Sequence, residues 1–297
     1  MLAEDEPGRG LGPALAWAWR RGASSLQLVA DRDTGLLARR AQAFSFPITV
    51  WRAEQRTLIL AEVEPLRPPP VATAAHLALV PTIEAGGAVP VVEHGVVTGE
   101  VRGLEVCRVV DDPASGHVRL EVGVGVHDRE AFALIHGDVP PIDALAEVVR
   151  AVTRHRGAES GHPLNRLAPE RLLRWRLERA PELIGLASLG ASEPPLPRRG
   201  VKERTPCTAR GRRSDGSTVL VVCSVGVDLD VIPYATDARR SEEDRPGVDG
   251  GRAGTETLVV APARDLVPVT AELAGLLVQE VALVSASPPS TCSTCST

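Results

Sequence analysis

Asp228 and Asp230 stand two residues apart where the apolar run of residues 219–225 gives way to a helix-like pattern, inside VLVVCSVGVDLDVIPYATDAR. In open α/β sheets ligands gather at the carboxyl ends of strands, so this junction is the first place to look for chemistry. Residues two apart share one face of a continuing strand, or flank a turn if the strand has ended. Either arrangement brings two carboxylates onto one hard divalent cation, and Mg2+ is the cofactor such a pair would take. Asp237, one to two helical turns later, could add an outer contact, while Arg239 and Arg240 could neutralise a phosphate. The competing role is helix capping, because an acidic residue just ahead of Pro233 suits the first turn of a helix.

A second acidic group lies on a hairpin pattern, GEVRGLEVCRVVDDPASGHVRLEVGVGVHDREAF, with Glu100, Glu105 and Glu121 on its arms and Asp111 and Asp112 at its turn. The layout loosely resembles the core of the restriction-endonuclease-like nucleases, in which an acid on one strand and an acid-x-lysine on the next hold a metal and activate water. The resemblance covers about thirty residues. It implies Glu105 as the first acid and Glu121 as the second, but the lysine position is Gly123. Without the resemblance, Glu105 and Glu121 read as outward-facing residues of an alternating hairpin. Glu93 and His94 form an acid–imidazole pair after the apolar PVV and are candidates for ligand contact. His127 and His136, nine apart, point to opposite faces of a helix and would not share one ion.

Several chemistries are excluded by what the chain lacks. Lys202 is the only lysine, and it follows no glycine-rich turn, which removes the phosphate-binding loop. Set between Pro197 and Pro206, it reads as part of an exposed linker rather than a desolvated amine fit for Schiff-base chemistry. Ser224 in VCSVG has Val222 where a nucleophile elbow has glycine, and no histidine follows His162 to complete a triad. Gly123 and Gly125 lack the third glycine of a dinucleotide fingerprint. A net charge of −5 and 3% aromatic residues argue against nucleic acid as partner, leaving a small or phosphorylated molecule. No apolar run approaches the roughly 20 residues of a membrane helix and no secretory signal opens the chain, so the sequence reads as cytoplasmic. Cys292 and Cys295 form a CxxC in a low-complexity tail with no second pair to complete a zinc site.

The elements that must position these residues follow from periodicity. Helices are expected at 12–21, 34–44, 73–84, 128–135, 142–154, 169–179, 232–240 and 268–277, and strands at 26–30, 48–51, 57–63, 219–225, 257–261 and 281–285, besides the hairpin. The expected fold is α/β: a largely parallel sheet from the first and last segments, flanked by helices, with a central β-hairpin plus helices between them. Boundaries are expected at 1–156 for an N-terminal α/β region, 157–217 for a helical and Pro/Arg-rich connector, 218–286 for a C-terminal α/β region and 287–297 for a disordered tail. A helix so soon after Met1 reads as a shortened N-terminus. The segments GEVRGLEV, LEVGVGVHDREAF, HPLNRLAPER and VVCSVGVDLDVIPYATDAR resemble a conserved family of high-GC bacteria, a resemblance that implies no activity. The expected function is a non-catalytic small-ligand-binding or regulatory protein, and the alternative is a divalent-metal-dependent, nuclease-like phosphoester hydrolase using Asp228, Asp230, Glu105 and Glu121.

Overall fold

LQLVA buries Leu26, Leu28 and Ala30 and leaves Gln27 outside, the period-two pattern of a strand with one face on the core. In the computed structural model, which describes residues 2–3, 7–112, 115–130, 140–157, 161–198, 200–245 and 255–286, this strand lies inside a small sheet. β1 (Leu2–Ala3) and β3 (Ile48–Glu54) flank β2 (Leu26–Ala30), both parallel to it, with α1 (Leu11–Arg20) and α2 (Thr34–Ala41) as the connecting helices. β4 (Thr57–Leu60) pairs antiparallel with β3, because only Gln55, held at φ 52°, and Arg56 separate the two strands.

Residues 67–181 and 187–211 form a compact unit of their own. The expected helix over 73–84 is two short ones, α3 (Ala74–Leu77) and α4 (Val80–Ala85), with Pro81 in the first turn of the second. β5 (Val89–Glu93), β6 (Val96–Val101), β7 (Leu104–Asp111) and β8 (Val118–Val122) make an all-antiparallel meander. Two of its turns are two-residue loops with both residues at positive φ, His94 (48°) with Gly95 (75°) and Arg102 (49°) with Gly103 (74°). Such turns match the twist of a tight hairpin and leave no room for a crossover. Residues 126–130 are helical, and α5 (Pro141–His155) and α6 (Pro169–Arg179) follow, then the neighbouring strands β9 (Ser188–Ala191) and β10 (Cys207–Arg212). The core of this unit is Ile83, Val97, Leu104, Val106 and Leu145.

The last segment returns to the first unit, which comprises residues 1–66, 182–186 and 212–297. β11 (Thr218–Cys223), β12 (Glu256–Ala261) and β13 (Ala282–Ser285) run parallel, joined by α7 (Val231–Glu243) and α8 (Pro268–Ala274). Leu15, Leu28 and Leu37 from the first segment share one core with Leu220, Ile232, Val259 and Leu273 from the last.

The expectation of a largely parallel sheet is overturned. The strands divide among separate sheets: β1–β4 is mixed and β5–β8 wholly antiparallel. Parallel pairing needs a crossover, and the segments holding α1, α2, α7 and α8 supply one between the paired strands described here. No helix among the described residues is long and apolar enough to cross a membrane. The CxxC tail, His136 and residues 246–254 lie outside the described residues.

Candidate functional site

In the first unit, the junction between β11 and α7 delivers both carboxylates into bonds that the fold already uses. Asp228 Oδ2 accepts from Arg9 Nη2 at 2.6 Å, and its Oδ1 accepts from the Asp230 backbone N–H at 3.0 Å. Asp230 stands at the N-cap of α7 without capping it. Its Oδ1 instead accepts the backbone N–H of Gly12, in the first turn of α1, at 2.8 Å. Capping therefore reaches across to a second helix, where the free N–H groups and the positive end of the dipole favour an acceptor. Gly12 makes the approach feasible, since a Cβ there would stand 2.3 Å from the Leu229 carbonyl oxygen. Burial, opposed by the Gly12 hydrogen bond and reinforced by the charge of Asp228, pushes the Asp230 carboxyl up to about 7. A shift of that kind often marks a functional group, yet Asp230 is only 5% exposed.

Of the neighbouring candidates, Asp237 and Arg239 are engaged as well. Asp237 is buried against two guanidinium groups of α2, Arg39 Nε at 2.9 Å and Arg40 Nε at 2.7 Å. Arg239 donates to Thr257 Oγ1 at 2.9 Å and to Gln279 Oε1 at 3.1 Å, and burial lowers its pKa. Arg240 is exposed and lines a hollow of about 270 Å³ with Arg239, Gln42, Thr236 and Glu243.

In the second unit the hairpin acids meet arginines that spacing alone did not single out. Glu105 on β7 accepts from Arg108 Nε at 2.9 Å, Arg129 Nη1 at 2.8 Å and Arg198 Nη2 at 3.0 Å. Burial pushes its carboxyl up, but the Arg108 hydrogen bond and the charges of Arg108, Arg198 and Arg129 outweigh it and hold the group below its ordinary value. Glu121 accepts from Arg119 Nη2 at 2.8 Å and faces Arg129 Nε at 3.5 Å. Glu100 and Glu93 both pair with Arg171 and Arg174, three residues apart on one face of α6. Burial opposes ionisation of Glu100, and the charges of Arg171, Arg174 and Arg198 overcome it and lower its pKa. His94 occupies a left-handed turn position; its backbone N–H donates to Glu193 Oε1 at 2.6 Å and its Nε2 lies 2.9 Å from the Pro194 carbonyl.

Mg2+ would need open carboxylate oxygens converging on one point. Among the described residues no group of three or more His, Cys, Asp or Glu side chains converges in that way. Asp228 and Asp230 belong to the first unit and Glu105 and Glu121 to the second, and each has arginine or backbone donors in the positions a cation would use. These residues do not fit the ion.

A cleft of about 540 Å³ that can receive a molecule lies in the second unit, between the end of β8 and residues 200–203. Val124, Val126, Leu167 and Val201 supply apolar wall, and Arg108, Arg129 and Lys202 bring cationic groups alongside Glu105, Asp128 and Glu203. Asp128 fixes one rim by accepting the Val124 backbone N–H at 2.6 Å. Lys202, which the sequence placed in a linker away from the acids, thus shares a cleft with Glu105. The position that would carry the nuclease lysine is strained for any side chain: Gly123 has φ 138°, and a Cβ there would stand 2.8 Å from the Arg129 backbone nitrogen. Comparison with protein-family models, curated proteins and solved structures finds no match for this chain.

Proposed function

We propose that this chain is a non-catalytic, small-ligand-binding protein whose ligand occupies the cleft of the second unit. The observation that carries this reading is the composition of that cleft: apolar walls at Val124, Val126, Leu167 and Val201, with cationic Arg108, Arg129 and Lys202 among them beside Glu105, Asp128 and Glu203. Its volume of about 540 Å³ suits a small molecule. The chemistry favours a compact apolar body bearing an acidic group, a carboxylate or a phosphate, because arginine and lysine donors fix such a group while the valines cover the rest. Glu105 is the carboxylate best placed for general-base or metal chemistry there, and the three arginines on it hold it ionised and occupied.

Anilinonaphthalene sulfonate, an apolar anion, is a direct probe. The folded protein should give a saturable, one-to-one rise in its fluorescence, Val126→Trp should abolish that saturation by filling the cleft, and Lys202→Glu should weaken it about threefold or more. An absence of saturable binding, or binding that Val126→Trp leaves unchanged, would overturn the reading.

A further inference from the structure

We infer that the first unit pairs with a second copy of this chain through β4, edge to edge and antiparallel about a two-fold axis at Ile59. β4 is the outer strand of its sheet, and all of Thr57, Leu58, Ile59 and Leu60 are exposed, the three apolar side chains at 55%, 40% and 59%. Edge strands of monomers are ordinarily blunted by a charge, a proline or a bulge, and TLIL carries none of these.

The backbone sets which residues can pair outward. The Ala61 N–H donates to the Val50 carbonyl at 2.9 Å, and in the antiparallel register Ile59 faces Arg52. Residues 57, 59 and 61 thus turn their peptide groups toward β3, and Leu58 and Leu60 turn theirs to the open edge. An antiparallel partner must then align even-numbered residues with even-numbered ones. Centring the axis on Ile59 does so: Leu58 faces the second copy's Leu60, and both of their outward peptide groups are satisfied.

That register also answers the charges at the ends of the strand. Arg56 and Glu62 are both exposed, and the axis at Ile59 sets Arg56 of each copy opposite Glu62 of the other. An axis at Leu58 would instead bring Glu54 against Glu62, a like-charge pair that disfavours pairing. The contact is isologous, so each cross-strand interaction off the axis occurs twice and the assembly closes at two copies. Leu58 and Leu60 share the sheet face of Trp51 and Ala53, and their pairing across the axis removes exposed apolar surface on that face.

Sedimentation velocity of the full chain across the micromolar range tests the inference. The wild type should sediment as a concentration-dependent dimer, and Ile59→Lys, at an exposed position, should sediment as a monomer with an unchanged circular dichroism spectrum. Arg56→Glu and Glu62→Arg should each weaken dimerisation about threefold or more, and the two together should restore it. A wild type that stays monomeric overturns the inference. So does a dimer that persists in Ile59→Lys, or one whose strength the two charge reversals leave unchanged, and those reversals remain decisive should Ile59→Lys fail to fold.

Discussion

Asp230 binds its proton more tightly in the folded protein than in the unfolded chain, and that difference fixes a pH dependence. Its ordinary value is 3.8 and burial raises it to about 7 in the fold, with Asp228 adding to the shift and the Gly12 N–H, Arg40 and Arg9 opposing it. Below the lower value both states are protonated and the group contributes no slope. Between the two values the unfolded chain loses the proton while the folded protein keeps it, so stability falls as pH rises; above about 7 both are ionised and the loss is complete. The span corresponds to a loss on the order of 4 kcal/mol from this group. Asp230→Asn keeps an oxygen acceptor for the Gly12 N–H and removes the titration. Its urea midpoint should vary less than that of the wild type from pH 4 to 7 and should exceed it at pH 8. Parallel profiles for the two proteins would show that the carboxyl titrates in the fold as it does in the unfolded chain.

At the scale of elements, the path from β8 into the following helix explains why a nuclease-like hairpin does not make a nuclease site. Gly123 sits at φ 138° with its Cα facing the Arg129 backbone, so the strand must end there and the chain must turn. Introducing the absent lysine, Gly123→Lys, should therefore cost about 2 to 4 kcal/mol in a urea titration and yield no hydrolysis of an aryl phosphodiester with Mn2+. A stable variant that gained Mn2+-dependent hydrolysis would restore the nuclease reading. Individual elements were legible in the sequence wherever period and punctuation agree: β2 and α6 occupy the spans that apolar alternation and the Pro169 start assign to them. The hairpin of β5 and β6 is harder to read because His94–Gly95 is a less familiar positive-φ pair than Asn–Gly, though the apolar runs on either side of the glycine carry the signal. The arginines that neutralise Glu100 were not legible at all. Arg171 and Arg174 lie 71 and 74 positions away from it, and one face of a helix does not disclose which distant carboxylates it will meet.

For the whole molecule, the arrangement of buried charge separates the stability of the two units. Each has its own apolar core and its own set of buried ion pairs: Asp237 between Arg39 and Arg40 in the first, Glu100 between Arg171 and Arg174 in the second. Removing Asp237 leaves the Arg39 and Arg40 guanidinium groups out of water with only the Glu64 and Gly8 carbonyls as acceptors, at a cost of about 3 to 5 kcal/mol, far more than an exposed pair would lose; removing Glu100 leaves Arg171 and Arg174 to share Glu93, at a smaller cost. The cost belongs to the unit whose core surrounds the stranded charges. Hydrogen exchange of the full chain should then show Asp237→Ala losing protection in β2 and β11, with β6 and β7 as protected as in the wild type. Glu100→Ala should do the reverse, exposing β6 and β7 and sparing β2 and β11. Loss of protection in all four strands from either substitution would mean that the chain unfolds as one cooperative body, with each buried triad supporting both cores.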